Sequence, residues 1–257
     1  MTHAAESTHY YTRDGEPAYT VTAKAGHERP TNVSDARKLG LLPSVTTILQ
    51  CAAKPALERW KAEQLMLAAL TLPRNDGEVE KEWIARVWND SKETARKAAE
   101  RGTAIHAAIQ SHLESGGADS QYHQHCLAVR RALADSFGDI PWLVERSFGH
   151  PLGFGGKVDV HSPAGVVCDF KTKEFAPDTK MDTYPEHAMQ LAAYRHGLGL
   201  DGARCAIGYV SVTHPGLVRV LEIPEPDIAK GWKCFYSLLH FWQARTGYTS
   251  AFEKLAA

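Results

Sequence analysis

No charge of one sign dominates these 257 residues: 29 Lys and Arg stand against 30 Asp and Glu, a formal net charge of −1. A basic field over the whole chain is therefore excluded, and any polyanionic partner must be met by a local patch. No apolar run approaches the roughly 18–20 residues a membrane-spanning helix needs, so no membrane is expected. The opening MTHAAESTHYYTRDGE has no apolar segment of the secretory-signal kind. Cysteines number only five (Cys51, Cys126, Cys168, Cys205 and Cys234), scattered and odd in number. CxxC zinc sites are excluded, a disulfide framework is disfavoured, and a reducing cytoplasm is the expected compartment. Internal repeats and low-complexity tracts are also absent. What remains is 44% hydrophobic and 23% charged, ordinary composition for a globular core.

Residues 1–40 are polar, with short β-like pieces such as AYTVTA between turn residues, and a partly ordered arm is expected there. Residues 41–250 are expected to form one domain, helical over 41–138 and sheet-containing over 139–250. Ser44 is placed to cap a short helix through VTTILQ. In KPALERWKAEQLMLAAL, the spacing of Leu57, Trp60, Leu65 and Ala68 is helical. One or two helices are expected over 78–113 and another over 121–137. In the latter, His123, His125 and Cys126 do not share one face and read as surface. Period-two patterning then predicts strands at 142–148, 154–161 and 166–173, a helix at 185–200, strands at 205–212 and 217–223, and a helix at 226–246. That order is an α/β or α+β layer architecture.

The stretch GFGGKVDVHSPAGVVCDFKTK carries the chemistry. Ser162-Pro163-Ala164-Gly165 fits a type I turn with Gly in the left-handed position, the loop of a three-residue hairpin. If Ser162 faces Val166, the outward pairs are Val160–Cys168, Asp159–Asp169, Val158–Phe170 and Lys157–Lys171. One face then carries Val158, Val160, Cys168 and Phe170. The other carries Lys157, Asp159, His161, Asp169, Lys171 and Lys173. Two carboxylates directly opposite each other destabilise a sheet unless a cation lies between them. A divalent metal held by Asp159 and Asp169 is one solution, since hard cations take oxygen ligands. A solvated face on which the acids pair with lysines is the other.

GGKVD followed ten residues on by DFKTK resembles the GxxD…DxK core of the PD-(D/E)XK nuclease superfamily. Gln190-Leu-Ala-Ala-Tyr194 resembles the QxxxY motif of its RecB-like branch, and Arg101-Gly-Thr-Ala-Ile-His106 that branch's upstream helical motif. Leu42-Pro-Ser-Val-Thr-Thr-Ile-Leu49, with Leu57 and Trp60 after it, resembles the first motif of phage-type and mitochondrial genome-maintenance exonucleases. The four motifs stand in the branch's order across residues 41–245. The resemblance implies a restriction-endonuclease-like core: a central mixed sheet flanked by helices, with a helical region N-terminal to it.

The implied activity is that of a DNA exonuclease, dependent on one or two Mg²⁺ or Mn²⁺ ions, that hydrolyses phosphodiester bonds. An endonuclease or nickase of the same fold, or an inactive nucleic-acid-binding module, stays open. By the same resemblance, Asp159, Asp169, His106 and the carbonyl of Phe170 hold the metal, and Lys171 orients or helps deprotonate the attacking water. Glu145 takes the place of a further active-site acid, and Gln190 and Tyr194 orient the site. Arg101, Lys173, Ser44, Thr46 and Trp60 are the implied DNA contacts, Trp60 by stacking on a base. The implied partners are DNA, as a single strand or a duplex end, and a single-strand annealing or recombination protein. The implied setting is phage or prophage recombination in the cytoplasm of a bacterial host. Some RecB-like nucleases hold an iron–sulfur cluster through one N-terminal and three C-terminal cysteines. Only Cys51 and Cys234 could serve that role here, so no cluster is expected.

Overall fold

The structure, a computed structural model, describes residues 8–117 and 121–248. The chain divides into two compact units, one made of Met1–Cys51 and Ile105–Ala257 and the other of Ala52–Ala104. The first unit begins with β1 (Tyr10–Tyr11), β2 (Thr20–Thr22), β3 (Glu28–Pro30), α1 (Val33–Leu39), β4 (Leu42–Pro43) and α2 (Val45–Leu49). Residues read as an arm are thus paired: β1 with β4, and β2 with β3. Tyr10 and Tyr11 are buried, Tyr10 as a member of the core on the sheet. Ser44 is the N-cap of α2, its Oγ accepting the Thr47 N–H at 2.9 Å.

The second unit holds α3 (Pro55–Thr71) and α4 (Glu80–Ser115) as far as Ala104. Pro55 sits in the first turn of α3, where its missing N–H costs nothing. The α3–α4 loop is fixed by Trp83, whose Nε1 donates to the Leu72 carbonyl at 2.7 Å, and by the Arg86–Glu78 ion pair at 2.8 Å. Ala68 and Val87 are buried, while Met66, Leu67 and Leu70 are exposed.

Back in the first unit follow α5 (His123–Phe137), β5 (Leu143–His150), β6 (Phe154–Ser162), β7 (Val166–Lys173), α6 (Pro185–Gly197), β8 (Arg204–Ser211), β9 (Val218–Ile223) and α7 (Glu225–Thr246). The five strands form one mixed sheet in the order β5-β6-β7-β8-β9. Only β7 and β8 run parallel, as their crossover through α6 requires. One sheet face packs on α2, α6 and α7 around Phe154, Leu191, Ile207, Phe235 and Leu239. The opposite face packs on the end of α4 and on α5 around Ile105, Ile109, Val129 and Leu133. Burying side chains of that size stabilises by roughly 1.5–3 kcal/mol each. The architecture is mixed α/β, with helices on both faces of the sheet. Among the described residues, no helix is long and apolar enough to cross a membrane.

Because both faces are covered, two expectations need correcting. The hairpin face read as solvated is largely covered: His161 and Asp169 are buried and only Lys173 of that set is exposed, while Val158 joins one core and Val160, Cys168 and Phe170 join the other. On α5, His125 and Cys126 are buried rather than at the surface, one turn before Val129 on the stripe that meets β8 and β9. His123 is exposed, and so is Cys234.

Candidate active site

The β6–β7 hairpin forms as its turn dictates. Gly165 takes φ +90° and its N–H donates to the Ser162 carbonyl at 3.0 Å. The ladder runs Ser162–Val166, His161–Val167, Val160–Cys168, and stops there. At the next position, where Asp159 and Asp169 were expected to pair through the backbone, the Asp159 side chain intervenes. Its Oδ2 accepts the Phe170 N–H at 2.8 Å. The strands part at the two carboxylates, which opens room between them while keeping both attached to a rigid sheet.

Glu145 faces the same break from β5. It is the one non-glycine among the described residues with positive φ, +54°, and its pair with Asp159 is missing from an otherwise continuous β5–β6 register. A left-handed non-glycine residue costs about 1–2 kcal/mol, so surrounding structure must hold it there. Its carboxylate forms an ion pair with Lys157 of β6.

Gln190 and Tyr194 lie one turn apart on buried α6, and every polar atom of the Gln190 amide is used. Its carbonyl accepts from Lys171 Nζ at 3.0 Å, and its NH₂ donates to Asp169 Oδ1 at 3.0 Å and to the Tyr194 hydroxyl at 2.9 Å. The Lys171 ammonium contacts Asp169 Oδ2 at 2.6 Å. Of the two solutions left open for the facing acids, one is partly realised: Asp169 pairs with a lysine. Asp159 does not. Burial, and then the charge of Asp169, push its pKa above the usual carboxylate range, against the opposing effects of Lys171 and the Phe170 N–H. Burial works against the charge on Lys171, yet the Asp169 and Asp159 charges outweigh it and raise the ammonium pKa.

His106, on the part of α4 that packs against the sheet, places Nδ1 3.6 Å from Asp159 Oδ2. Burial lowers its pKa, so the imidazole is disposed to be neutral and able to act as a ligand. His106, Glu145, Asp159 and Phe170 line a recess of about 10 Å³, room for roughly one water- or ion-sized sphere. Asp169 is not part of its wall. Among the described residues no three His, Cys, Asp or Glu side chains already converge as a metal cage. The recess itself offers the Asp159 and Glu145 carboxylates and the His106 imidazole, with Asp169 outside its wall. That set fits a hard cation that keeps some of its waters better than a cation needing a complete protein cage.

The remaining sequence candidates fall elsewhere. Lys173 is exposed at the end of β7, its Nζ 5.9 Å from the Tyr184 ring centroid. Ser44 is buried by its capping role; it and the exposed Thr46 line a second cavity, of about 230 Å³. Arg101 and Trp60 belong to the other compact unit, both exposed. Sequence reasoning missed His187 on α6. Its Nδ1 accepts from the Tyr184 N–H at 3.1 Å and lies 3.3 Å from the Tyr209 hydroxyl. Burial, with the Lys171 charge second, lowers its pKa to about 4. Its position three residues before Gln190 was the available signal, for it puts His187 on the same buried flank of α6.

No protein-family model matches the chain, and no curated protein sequence does. Among solved structures, a candidate exonuclease from Eubacterium rectale superposes with a TM-score of 0.42 at 12% identity, covering 58% of this chain and 69% of its own. SSO0001 superposes with a TM-score of 0.30 at 15% identity, covering 76% of this chain and 74% of its own.

Proposed function

We propose that this protein is a divalent-cation-dependent deoxyribonuclease of the PD-(D/E)XK type, in its RecB-like branch, acting on DNA ends. The observation that carries the reading is the gap in the β6–β7 ladder. Two carboxylates on adjoining strands face it, with Lys171 two residues beyond one of them and a buried amide fixing both Asp169 and Lys171. Asp159, Asp169 and the Phe170 carbonyl would hold Mg²⁺ or Mn²⁺, with His106 beside them. When bound, the cation would supply charge neutralisation at the scissile phosphate and a more acidic water.

The chain's own residues supply orientation. An ammonium has three hydrogens. Asp169 and Gln190 take two from Lys171, and the third is available to a water or a phosphate oxygen. Tyr194 fixes the Gln190 amide, and Gln190 thereby prevents Lys171 from collapsing wholly onto Asp169. The Asp159–Phe170 hydrogen bond keeps the strands at the separation the site needs.

The test is incubation of the full chain with end-labelled linear DNA and with covalently closed circular DNA, with Mg²⁺ and with EDTA. Metal-dependent loss of the linear form alone is expected, abolished by Asp169→Asn. Cutting of the closed circle would instead support an endonuclease, and an inert protein that still binds DNA would support a binding module.

A further inference from the structure

The second cavity lies against the candidate active site but shares little of its chemistry. His9, Tyr11, Tyr19, Thr46, Lys157 and Tyr194 line it, together with Ser44 and Gly156. Tyr194 is common to both places: its ring walls the cavity and its hydroxyl holds Gln190. Lys157 makes a second link, through its ion pair with Glu145.

The lining is aromatic and nearly uncharged. The Tyr11 and Tyr19 rings meet edge to face at 5.6 Å, joined through their hydroxyls at 2.8 Å, and the His9 ring lies 4.5 Å from that of Tyr19. Burial, and after it the nearby Lys157 charge, lower the His9 pKa from the usual imidazole value. Among the described residues Lys157 is the ammonium in the wall, and it is paired with Glu145. Such a lining is poor for a phosphate and good for a flat heteroaromatic ring with polar edges. About 230 Å³ is several times a water's share of roughly 30 Å³ and below the roughly 300–1,000 Å³ of sites for drug-sized ligands. That volume is of the order of one ring with its sugar and short of a stacked base pair.

Two glycines of β6 stand at the base of this wall. A Cβ on Gly155 would stand 2.9 Å from both the Phe148 carbonyl and the Tyr11 Cβ, and one on Gly156 would stand 2.9 Å from the Phe148 ring and 3.1 Å from the Tyr194 ring. The two glycines let both tyrosines close on the strand that carries Asp159 two turns of the pleat further on.

We propose that this cavity takes one unstacked nucleobase, with its sugar, from the DNA strand being cut. The proposal rests on the nuclease reading and adds to it a requirement: the strand must be single or frayed next to the scissile phosphate. His9, Tyr11 and Tyr19, from the N-terminal strands, are then substrate-binding residues alongside Thr46.

The experiment uses the full chain and a fluorescently end-labelled oligothymidylate in which a single abasic residue is moved position by position. Affinity is read by anisotropy in Ca²⁺ and cleavage in Mg²⁺. In the wild type, one position is expected to show binding weakened about tenfold when its base is missing. Tyr19→Ala should bind the intact strand about as weakly and lose that positional penalty. If Tyr19→Ala does not fold, judged by its melting curve, His9→Ala carries the same comparison. A penalty that persists undiminished in the variant overturns the assignment, as does a wild type that cleaves yet shows no base-dependent position; either leaves the nuclease reading standing. A wild type that neither binds nor cleaves any strand overturns both.

Discussion

Asp159→Asn is expected to stabilise the metal-free protein while abolishing its response to divalent cations. In the metal-free chain Asp159 lies on a buried strand facing the gap, its Oδ2 accepts the Phe170 N–H, and the His106 ring lies 3.6 Å away. Burial and the Asp169 charge both disfavour its ionised form. One pKa unit of such displacement is worth about 1.4 kcal/mol. Asn has the same shape, retains an oxygen for the Phe170 N–H, and brings no charge. The gain in EDTA at neutral pH should be about 1–3 kcal/mol, which for a chain of this size is about 3–8 °C in melting temperature.

The sign follows from linkage. A carboxyl whose pKa is raised by folding weakens the folded state at pH values above its unfolded pKa. The advantage of the Asn variant is therefore present at neutral pH and vanishes below about pH 4, where Asp159 is protonated in both states. Cation binding reverses the ranking. At a hundred times its dissociation constant a cation stabilises the wild type by about 2.7 kcal/mol, and the variant should gain almost nothing. Thermal melts of both proteins in EDTA and across a MgCl₂ and MnCl₂ series read both effects. A variant that melts lower than wild type in EDTA refutes the repulsion argument. Equal metal-induced shifts in the two proteins refute Asp159 as a ligand.

Lys171→Ala should lower the cleavage rate by at least about a hundredfold while keeping a metal-induced melting shift, since it orients rather than ligates; cleavage within tenfold of wild type would remove it from the site. His187→Gln should flatten the acid limb of the stability curve measured in EDTA. The folded pKa of about 4 lies below the ordinary 6.5, so stability is full above pH 6.5 and falls, by at most about 1.4 kcal/mol per pH unit, down to pH 4. An unchanged acid limb would mean that the imidazole is not held neutral by its burial. Gly197→Ala should destabilise by about 1–3 kcal/mol in urea despite better helix propensity, because its Cβ would stand 2.0 Å from the Phe148 ring. Adding Phe148→Leu should recover part of that loss, and a lack of recovery would locate the strain elsewhere.

Much of the sheet was legible because its signals are local. Ser162-Pro163-Ala164-Gly165 specifies its own turn, and the turn sets the register as far as Val160–Cys168, one position short of Asp159 and Asp169, without any knowledge of the rest of the fold. Helices α6 and α7 were equally readable from their spacing. Gln190 and Tyr194 share a face simply by being four residues apart. The misreadings have one cause. Whether a strand or helix face meets water depends on what packs there from distant sequence, and alternation along β7 is the same for a face covered by α6 as for a solvated one. Tyr10 and Tyr11 read as part of a polar arm because their partners, Pro43 and Leu42, are some thirty residues away and the paired strands are two residues long.

The gap between the carboxylates was invisible for a related reason. Hairpin logic continues a ladder until something stops it, and what stops this one is a side chain replacing a backbone partner. The Phe170 N–H would bond to a β6 carbonyl in an unbroken ladder; here it bonds to Asp159 Oδ2. One exchange thereby satisfies a buried donor, gives the raised-pKa carboxylate a fixed orientation, and leaves the strands too far apart at Asp169 to pair. Opposite it, Glu145 gives up its own place in the β5–β6 register at the cost of a left-handed backbone. The sheet loses pairing on both sides of Asp159, and at that one position along an otherwise continuous strand three acids, an imidazole and two ammonium groups gather. A fold selected for stability alone would close that gap. Its persistence, with Gln190 fully committed to holding Asp169 and Lys171 in place, is what stability does not explain and what the proposed phosphodiester hydrolysis would require.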